Sequence, residues 1–185
     1  MGYAIAEELA NQGAEVILIS GPTNLQINHS NIQKVNIQTA DEMFDAASKT
    51  FPLCDAAIMS AAVADYKSAI QFDKKVKRSK EKLQINLEPN KDIAAELGRI
   101  KRENQVLIGF ALETDNEVEN AIKKINNKNL NFIVLNSLND KGAGFGHDTN
   151  KISIIDNKLN RISYDLKTKK EVAVDIVEEL FKQMQ

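Results

Sequence analysis

Short apolar runs alternate with amphipathic stretches along nearly the whole chain, each run bounded by glycine, proline or polar turn residues. Residues 15–20 read as a buried strand that ends at the turn signal Gly21-Pro22. Residues 32–37 form a shorter strand, and 55–60, made of small and apolar side chains, have the makeup of a central parallel strand. Further strands are predicted over 106–110 and 132–135. Residues 83–87 alternate cleanly, which predicts a strand with one covered and one more polar face. Residues 151–155 and 161–165, joined by the polar stretch 156–160, predict a hairpin.

The helical patterns fall between these runs. Residues 1–12 carry Ile5 and Leu9 against Glu7 and Glu8 and stop at Gly13, which suits the position after a helix end. A helix over 40–48 has Thr39 as its cap and Glu42 placed to complete a capping box. Others are predicted over 91–101, 117–128 and 169–184, the last with Val172, Ile176, Leu180 and Met184 on one face. This alternation predicts one α/β domain over residues 1–185: three layers, a doubly wound, Rossmann-like, mostly parallel sheet, and a C-terminal hairpin and helix. Such a domain ordinarily opens on a strand whose following turn binds phosphate. Here the helical pattern starts at residue 1, so the reading expects that strand and turn to be lacking.

Composition narrows the function classes. With 43% apolar and 27% charged residues the chain has the balance of a water-soluble globular protein. A net charge of −2 leaves no electrostatic footprint for nucleic acid, and no apolar run is long enough to span a bilayer. One cysteine, Cys54, excludes an internal disulfide, and His29 and His147 with it make no zinc-ligand cluster. A cytoplasmic location is expected.

In open α/β sheets ligands gather beyond the carboxyl ends of the strands. The segment Ser60-Ala-Ala-Val-Ala-Asp-Tyr66 stands there, and its short side chains let a base or ribose approach the backbone. Asp65 is placed to accept from ribose hydroxyls or to hold a hydrated metal ion. Equally, the alanines would serve close helix packing and Asp65 would cap a helix. The basic run 74–78 with Lys80 and Lys82 reads either as a solvated loop or as a loop covering phosphates. In residues 88–93, Asn90 is a helix cap after the strand-ending Pro89, or else an amide that reads a base edge. Phe110 is core or a stacking platform, and Lys124 with Lys128, one turn apart, hold one anion or are ordinary surface lysines. The glycines of 142–146 lack a strand before and a helix after, so a turn is expected there. Cys54 has no histidine in support and reads as a small buried residue.

Taken together, Gly21-Pro22, Ser60-Ala-Ala-Val-Ala-Asp-Tyr66, Lys75-Val-Lys77, Pro89-Asn-Lys-Asp-Ile93, Gly109-Phe-Ala-Leu-Glu-Thr114 and Lys128-Asn-Leu-Asn131 resemble the phosphopantothenate–cysteine ligase family in order and content. In bacteria such ligases form the C-terminal half of a bifunctional flavoprotein, so the resemblance implies a flavin-dependent decarboxylase domain or partner and a homodimer. It implies a ligation in which the phosphopantothenate carboxylate is activated by a nucleoside triphosphate, CTP in bacteria or ATP in animals, with Mg²⁺, before cysteine attacks. It also assigns nucleotide-binding roles to Met59, Ser60, Ala61, Asp65, Lys75, Asn90, Lys91, Asp92, Ile93, Phe110, Lys124 and Lys128, with Lys75 as the catalytic lysine. No metal ligands follow from it. Lys91 departs from the family, where proline is common. The family's first strand and its asparagine-bearing substrate loop would precede Met1-Gly2, so the resemblance implies an N-terminally truncated ligase domain. Two other readings stay open: a nucleotide-binding, dimer-forming domain without full activity, and an NAD(P)-dependent oxidoreductase. The last lacks both its glycine fingerprint and an acidic residue after the second strand, where Gly21-Pro22 stands.

Overall fold

The computed structural model describes residues 1–70, 74, 84–113, 116–137 and 148–185. The chain runs α1 (Gly2–Asn11), β1 (Val16–Ser20), β2 (Ile32–Asn36), α2 (Ala40–Thr50), a 3₁₀ turn (Phe51–Leu53), β3 (Ala56–Met59), β4 (Tyr66–Ser68) and β5 (Leu87–Pro89). It continues through α3 (Ile93–Ile100), β6 (Val106–Glu113), α4 (Glu117–Asn127), β7 (Phe132–Ser137), β8 (Thr149–Asn150), β9 (Ile152–Asp156), β10 (Arg161–Ser163), β11 (Lys167–Thr168) and α5 (Lys169–Gln183). Five strands form one sheet in the order β10-β9-β7-β6-β3. Within it β3, β6 and β7 are parallel, and β9 and β10 are antiparallel additions. The strands β1 and β2 form a separate parallel pair.

The three layers follow from side-chain alternation. Leu107, Ala111, Ile133, Leu135, Ile155, Ala57 and Met59 face the helices α2, α3 and α4. Their neighbours Val106, Ile108, Phe132, Val134, Ile152, Ile154, Ala56 and Ile58 face α1 and α5. A sheet covered on both sides needs apolar residues at successive positions, which is why these strands read as unbroken apolar runs. Among the described residues no helix is long and apolar enough to cross a membrane.

Several expectations are corrected. The strand at 56–59 is not central in its sheet: among the described residues β3 bonds to β6 alone and forms an edge. The strand expected over 83–87 lies further on, at Leu87–Pro89, and pairs with β4 in an exposed two-stranded ribbon. All three of its residues are exposed, so the expected covered face is not found; Leu83 lies outside the described residues. Asn90 caps nothing. The cap of α3 is Asp92, whose Oδ1 accepts the Ala95 N–H at 3.0 Å. Met184 stands beyond the last residue of α5 and is exposed, whereas Val172, Ile176 and Leu180 are buried as expected.

Thr39 does cap α2, accepting from Glu42 N–H at 3.1 Å, but the Glu42 carboxylate reaches Gln38 N–H rather than that of the cap. The reciprocal capping box occurs instead at Thr168 and Glu171, where the sequence reading had not placed one. Cys54 is half-buried, its thiol donating to Thr50 O, and burial followed by the Asp55 charge raises its pKa. The glycine run 142–146 lies outside the described residues.

One buried amide joins the layers. Gln105 is 1% exposed; its Nε2 donates to Phe51 O at 2.8 Å and Cys54 O at 2.6 Å, and its Oε1 accepts from Arg102 N–H at 2.8 Å. Gln105→Leu keeps the volume but removes three hydrogen bonds: Arg102 N–H loses its acceptor, while Phe51 O still accepts from Cys54 N–H at 3.0 Å and Cys54 O from Arg102 Nη2 at 3.4 Å. It is expected to lower stability by about 1–3 kcal/mol, read from the urea midpoint at unchanged m-value.

Candidate functional site

A cleft of about 440 Å³ opens at the carboxyl ends of β3 and β6. Met59, Gly109, Leu130 and Ile133 line it from the sheet and the turn before β7. Glycine at 109 leaves room for Leu130: a Cβ there would stand 2.6 Å from Leu130 Cδ1, and that side chain would have to shift.

The loop after β3 forms one wall. Ala61, Val63, Ala64, Asp65 and Tyr66 line it, and Ala61, Ala64 and Asp65 are exposed. Asp65 precedes β4 and caps no helix, so the helix-packing reading of this segment does not hold. Asn90 fixes the loop from across the cleft: its Nδ2 donates to Ala64 O at 2.8 Å and its N–H to Asp65 O at 2.8 Å. Asn90 Oδ1 is buried and has no hydrogen-bond partner among the described residues.

The opposite wall comes from the turn into α3 and from α4. Lys91, Asp92, Ile93, Phe110, Lys124 and Lys128 all line the cleft. Lys128 Nζ is 2.9 Å from Asp92 Oδ2, so the α3 cap and the end of α4 share an ion pair. Burial pushes the Asp92 carboxyl up, but the Ala95 N–H and the Lys128 ammonium outweigh it and hold the group below its ordinary value. The Lys91 ammonium lies 4.4 Å from the centre of the Phe44 ring, a cation–π contact directed at α2. Phe110 is partly buried and serves both as core and as cleft lining.

The fold therefore gathers Met59, Ala61, Asp65, Asn90, Lys91, Asp92, Ile93, Phe110, Lys124 and Lys128 around one space. Ser60 is not in its lining; its Oγ would stand 2.7 Å from a Cβ on Gly2, so it faces the start of α1. Lys75, with Lys80, Lys82 and most of the basic run, lies outside the described residues.

The sequence reading missed the residues that hold the walls in place. Lys67 donates to Asp41 Oδ2 at 2.5 Å and lies 3.6 Å from Glu88 Oε1, tying the β4–β5 ribbon to α2. The hydrogen bond to Asp41 is the chief reason its pKa is raised. Gly98 allows α3 to touch the end of α4, since a Cβ there would fall 2.0 Å from Lys128 O. Glycine inside a helical pattern was the available signal.

A family model described as DNA/pantothenate metabolism flavoprotein C-terminal domain matches residues 1–184. Among curated proteins, the chain is 51% identical over 97% of its length to a protein named cysteine/cysteine sulfinic acid decarboxylase from an unknown prokaryotic organism, covering 50% of that protein. It is 38% identical over 97% of its length to the coenzyme A biosynthesis bifunctional protein CoaBC of Bacillus subtilis, covering 44% of it. The chain thus spans about half the length of the curated relatives it matches. Among solved structures, the C-terminal domain of a CoaBC protein superposes with a TM-score of 0.79 at 38% identity, over 96% of this chain and 79% of that one. A Cab2 mutant in complex with phosphopantothenate-cysteine shares the fold at a TM-score of 0.67 and 13% identity, over 98% of this chain and 77% of that one.

Asp92→Asn preserves the cap, since asparagine caps as well as aspartate, and removes only the charge. A carboxyl held below its ordinary value stabilises the fold above that value, and the contribution is lost as pH falls through the folded pKa. With the pair half exposed, the stability gap between the two proteins is expected to be about 0.5–1 kcal/mol at pH 7. The gap should shrink as pH falls below the ordinary carboxylate range and the folded-state carboxyl takes up its proton, as urea midpoints measured from about pH 2.5 to 7 will reveal.

Proposed function

Because the chain belongs to the family of the DNA/pantothenate metabolism flavoprotein C-terminal domain, we propose that its cleft binds a nucleoside triphosphate and serves a ligase of coenzyme A biosynthesis. The proposed reaction joins 4′-phosphopantothenate to cysteine. The observation that carries this reading is the convergence of ten of the twelve residues given nucleotide-binding roles by the family resemblance, on separate loops and helices, around one cleft at the strand ends.

The chemistry fits those residues. A carboxylate is a poor acyl donor, so one of its oxygens attacks the α-phosphorus of the triphosphate; the P–O bond to pyrophosphate breaks and an acyl-nucleotide forms. The cysteine amine then attacks the acyl carbon, the nucleoside monophosphate departs, and the amine gives up a proton. Lys124 and Lys128 would meet the phosphates, offsetting charge that grows on the leaving group. The exposed backbone from Ala61 to Asp65 and the unsatisfied Asn90 Oδ1 would read a base amine or ribose hydroxyls. Lys75 remains the proposed catalytic lysine. CTP is the expected nucleotide and ATP the alternative.

Mg²⁺ is proposed to arrive with the triphosphate, and Asp65, exposed at the cleft wall, is the residue that would hold it through its water shell. When bound it would neutralise phosphate oxygens. The proposal extends to a homodimer and to a flavin-dependent decarboxylase domain or partner, as in the bifunctional relatives.

Calorimetric titration should give saturable binding of CTP or ATP, and Lys124→Met and Lys128→Met should each weaken it about 10- to 100-fold. Pyrophosphate release should require phosphopantothenate, and amide formation should require cysteine as well. The relative named as a decarboxylase defines the rival outcome. Carbon dioxide release from cysteine with no nucleotide bound or consumed would sink the ligase reading.

A further inference from the structure

The cleft is lined by three lysines, Lys91, Lys124 and Lys128, and two carboxylates, Asp65 and Asp92, so its charged lining is positive on balance. Two of the ammonium groups are held in different ways. Lys128 Nζ pairs with Asp92 Oδ2 at 2.9 Å, on the carboxylate that caps α3. Lys91 Nζ instead lies 4.4 Å from the centre of the Phe44 ring on α2. Asp41, one turn before that ring, feels the charge of Lys91 but is itself bonded to Lys67. The contact is this chain's own, because the proline common at this position in the family carries no ammonium.

At residue 91 the backbone is pinned on both sides and the side chain is not. Asn90 bonds Ala64 O and Asp65 O across the cleft, and Asp92 is fixed by the Ala95 N–H and by Lys128. Between these anchors Lys91 is exposed, and a flexible four-carbon stem separates its ammonium from the chain. Phe44 is half-buried and packs against the core beneath α2, so the ring keeps its place whether or not the ammonium rests on it. A cation on a ring at an exposed site is favoured only about two- to fivefold over release into water. A phosphate oxygen offers formal negative charge and a charge-assisted hydrogen bond, roughly twice as strong as a neutral one. The ring is therefore the weaker of the two partners, and rotation of the stem is enough to exchange one for the other.

We propose that Lys91 is a triphosphate-sensing side chain: its ammonium leaves the Phe44 ring for the phosphates beyond the first and stays on the ring when only a monophosphate is bound. The proposal rests on the cleft being a nucleotide site, and it names the residue through which that site tells substrate from spent nucleotide. Charge supplies the discrimination. Each phosphate beyond the first adds negative charge within reach of the stem, whereas a monophosphate is already met by the other cleft lysines. Once the P–O bond to pyrophosphate breaks, the ring gives the ammonium a second place to go. Pyrophosphate then loses one of its cations while the acyl-nucleotide keeps the contacts made by the rest of the cleft.

The test combines calorimetry and NMR on the full chain with CTP and CMP (or ATP and AMP, if the chain takes those instead). Lys91→Met should weaken triphosphate binding about fivefold or more and leave monophosphate binding within about twofold. Phe44→Leu keeps an apolar side chain in the core but removes the ring, and should tighten triphosphate binding about two- to fivefold. Since a core variant can lose stability, the unsubstituted chain gives an independent readout. Its Lys91 ε-methylene protons, identified by their loss in Lys91→Met, should be shifted upfield by the Phe44 ring. They should move to the ordinary lysine position with triphosphate and not with monophosphate. Triphosphate binding that Lys91→Met leaves unchanged overturns the inference and spares the nucleotide site. So does equal weakening of both nucleotides, or a methylene shift that triphosphate does not move. Failure of the unsubstituted chain to bind any of these nucleotides overturns the nucleotide site itself, and this inference with it.

Discussion

The cleft depends on a place where backbone meets backbone, at Gly98 and the carbonyl of Lys128. No side chain fits between α3 and the last turn of α4, so the two helices close to a distance that only glycine permits. Everything on that side of the site is measured from this junction. Asn129 takes a left-handed conformation with φ 49° and returns its Nδ2 to Gly98 O at 3.0 Å. Lys101 donates to Asn129 O at 2.6 Å and Asn131 Oδ1 at 2.9 Å, and that same Oδ1 accepts from Leu107 N–H at the start of β6. Burial lowers the Lys101 pKa, yet the two acceptors give its ammonium a defined place. Lys128 then reaches back to Asp92, so one residue touches α3 at both ends through different atoms.

That junction shows how the family-like segment Lys128-Asn-Leu-Asn131 divides its labour. Only Lys128 and Leu130 line the cleft. The two asparagines are structural, one supplying the left-handed turn and the other an acceptor for a strand amide and a half-buried lysine. A sequence motif of this kind mixes ligand contacts with the framework that aims them, and geometry alone separates the two.

Most of the fold was legible because the five-stranded sheet is buried on both faces, which forces apolar runs at β6, β7 and β9, while the helices keep one polar side. What escaped was pairing. Whether β3 has one neighbour or two, and whether residues 87–89 join the sheet or a ribbon, depends on partners distant in sequence, to which a local pattern is blind. The site was legible as a set of strand ends rather than as individual roles. Met59 and Ala61 line the cleft while Ser60 between them turns to α1, as strand alternation requires. Lys91 sends its ammonium to Phe44, a contact that residue spacing does not encode.

The β4–β5 ribbon has little apolar cover: Tyr66 and Leu87 lie open, and Lys67, set between Asp41 and Glu88, ties it to α2. The core resists salt because it is built of hydrocarbon, but this attachment is made of exposed charge and is screened by added ions. Ionic strength therefore acts on one wall of the cleft and hardly at all on the floor.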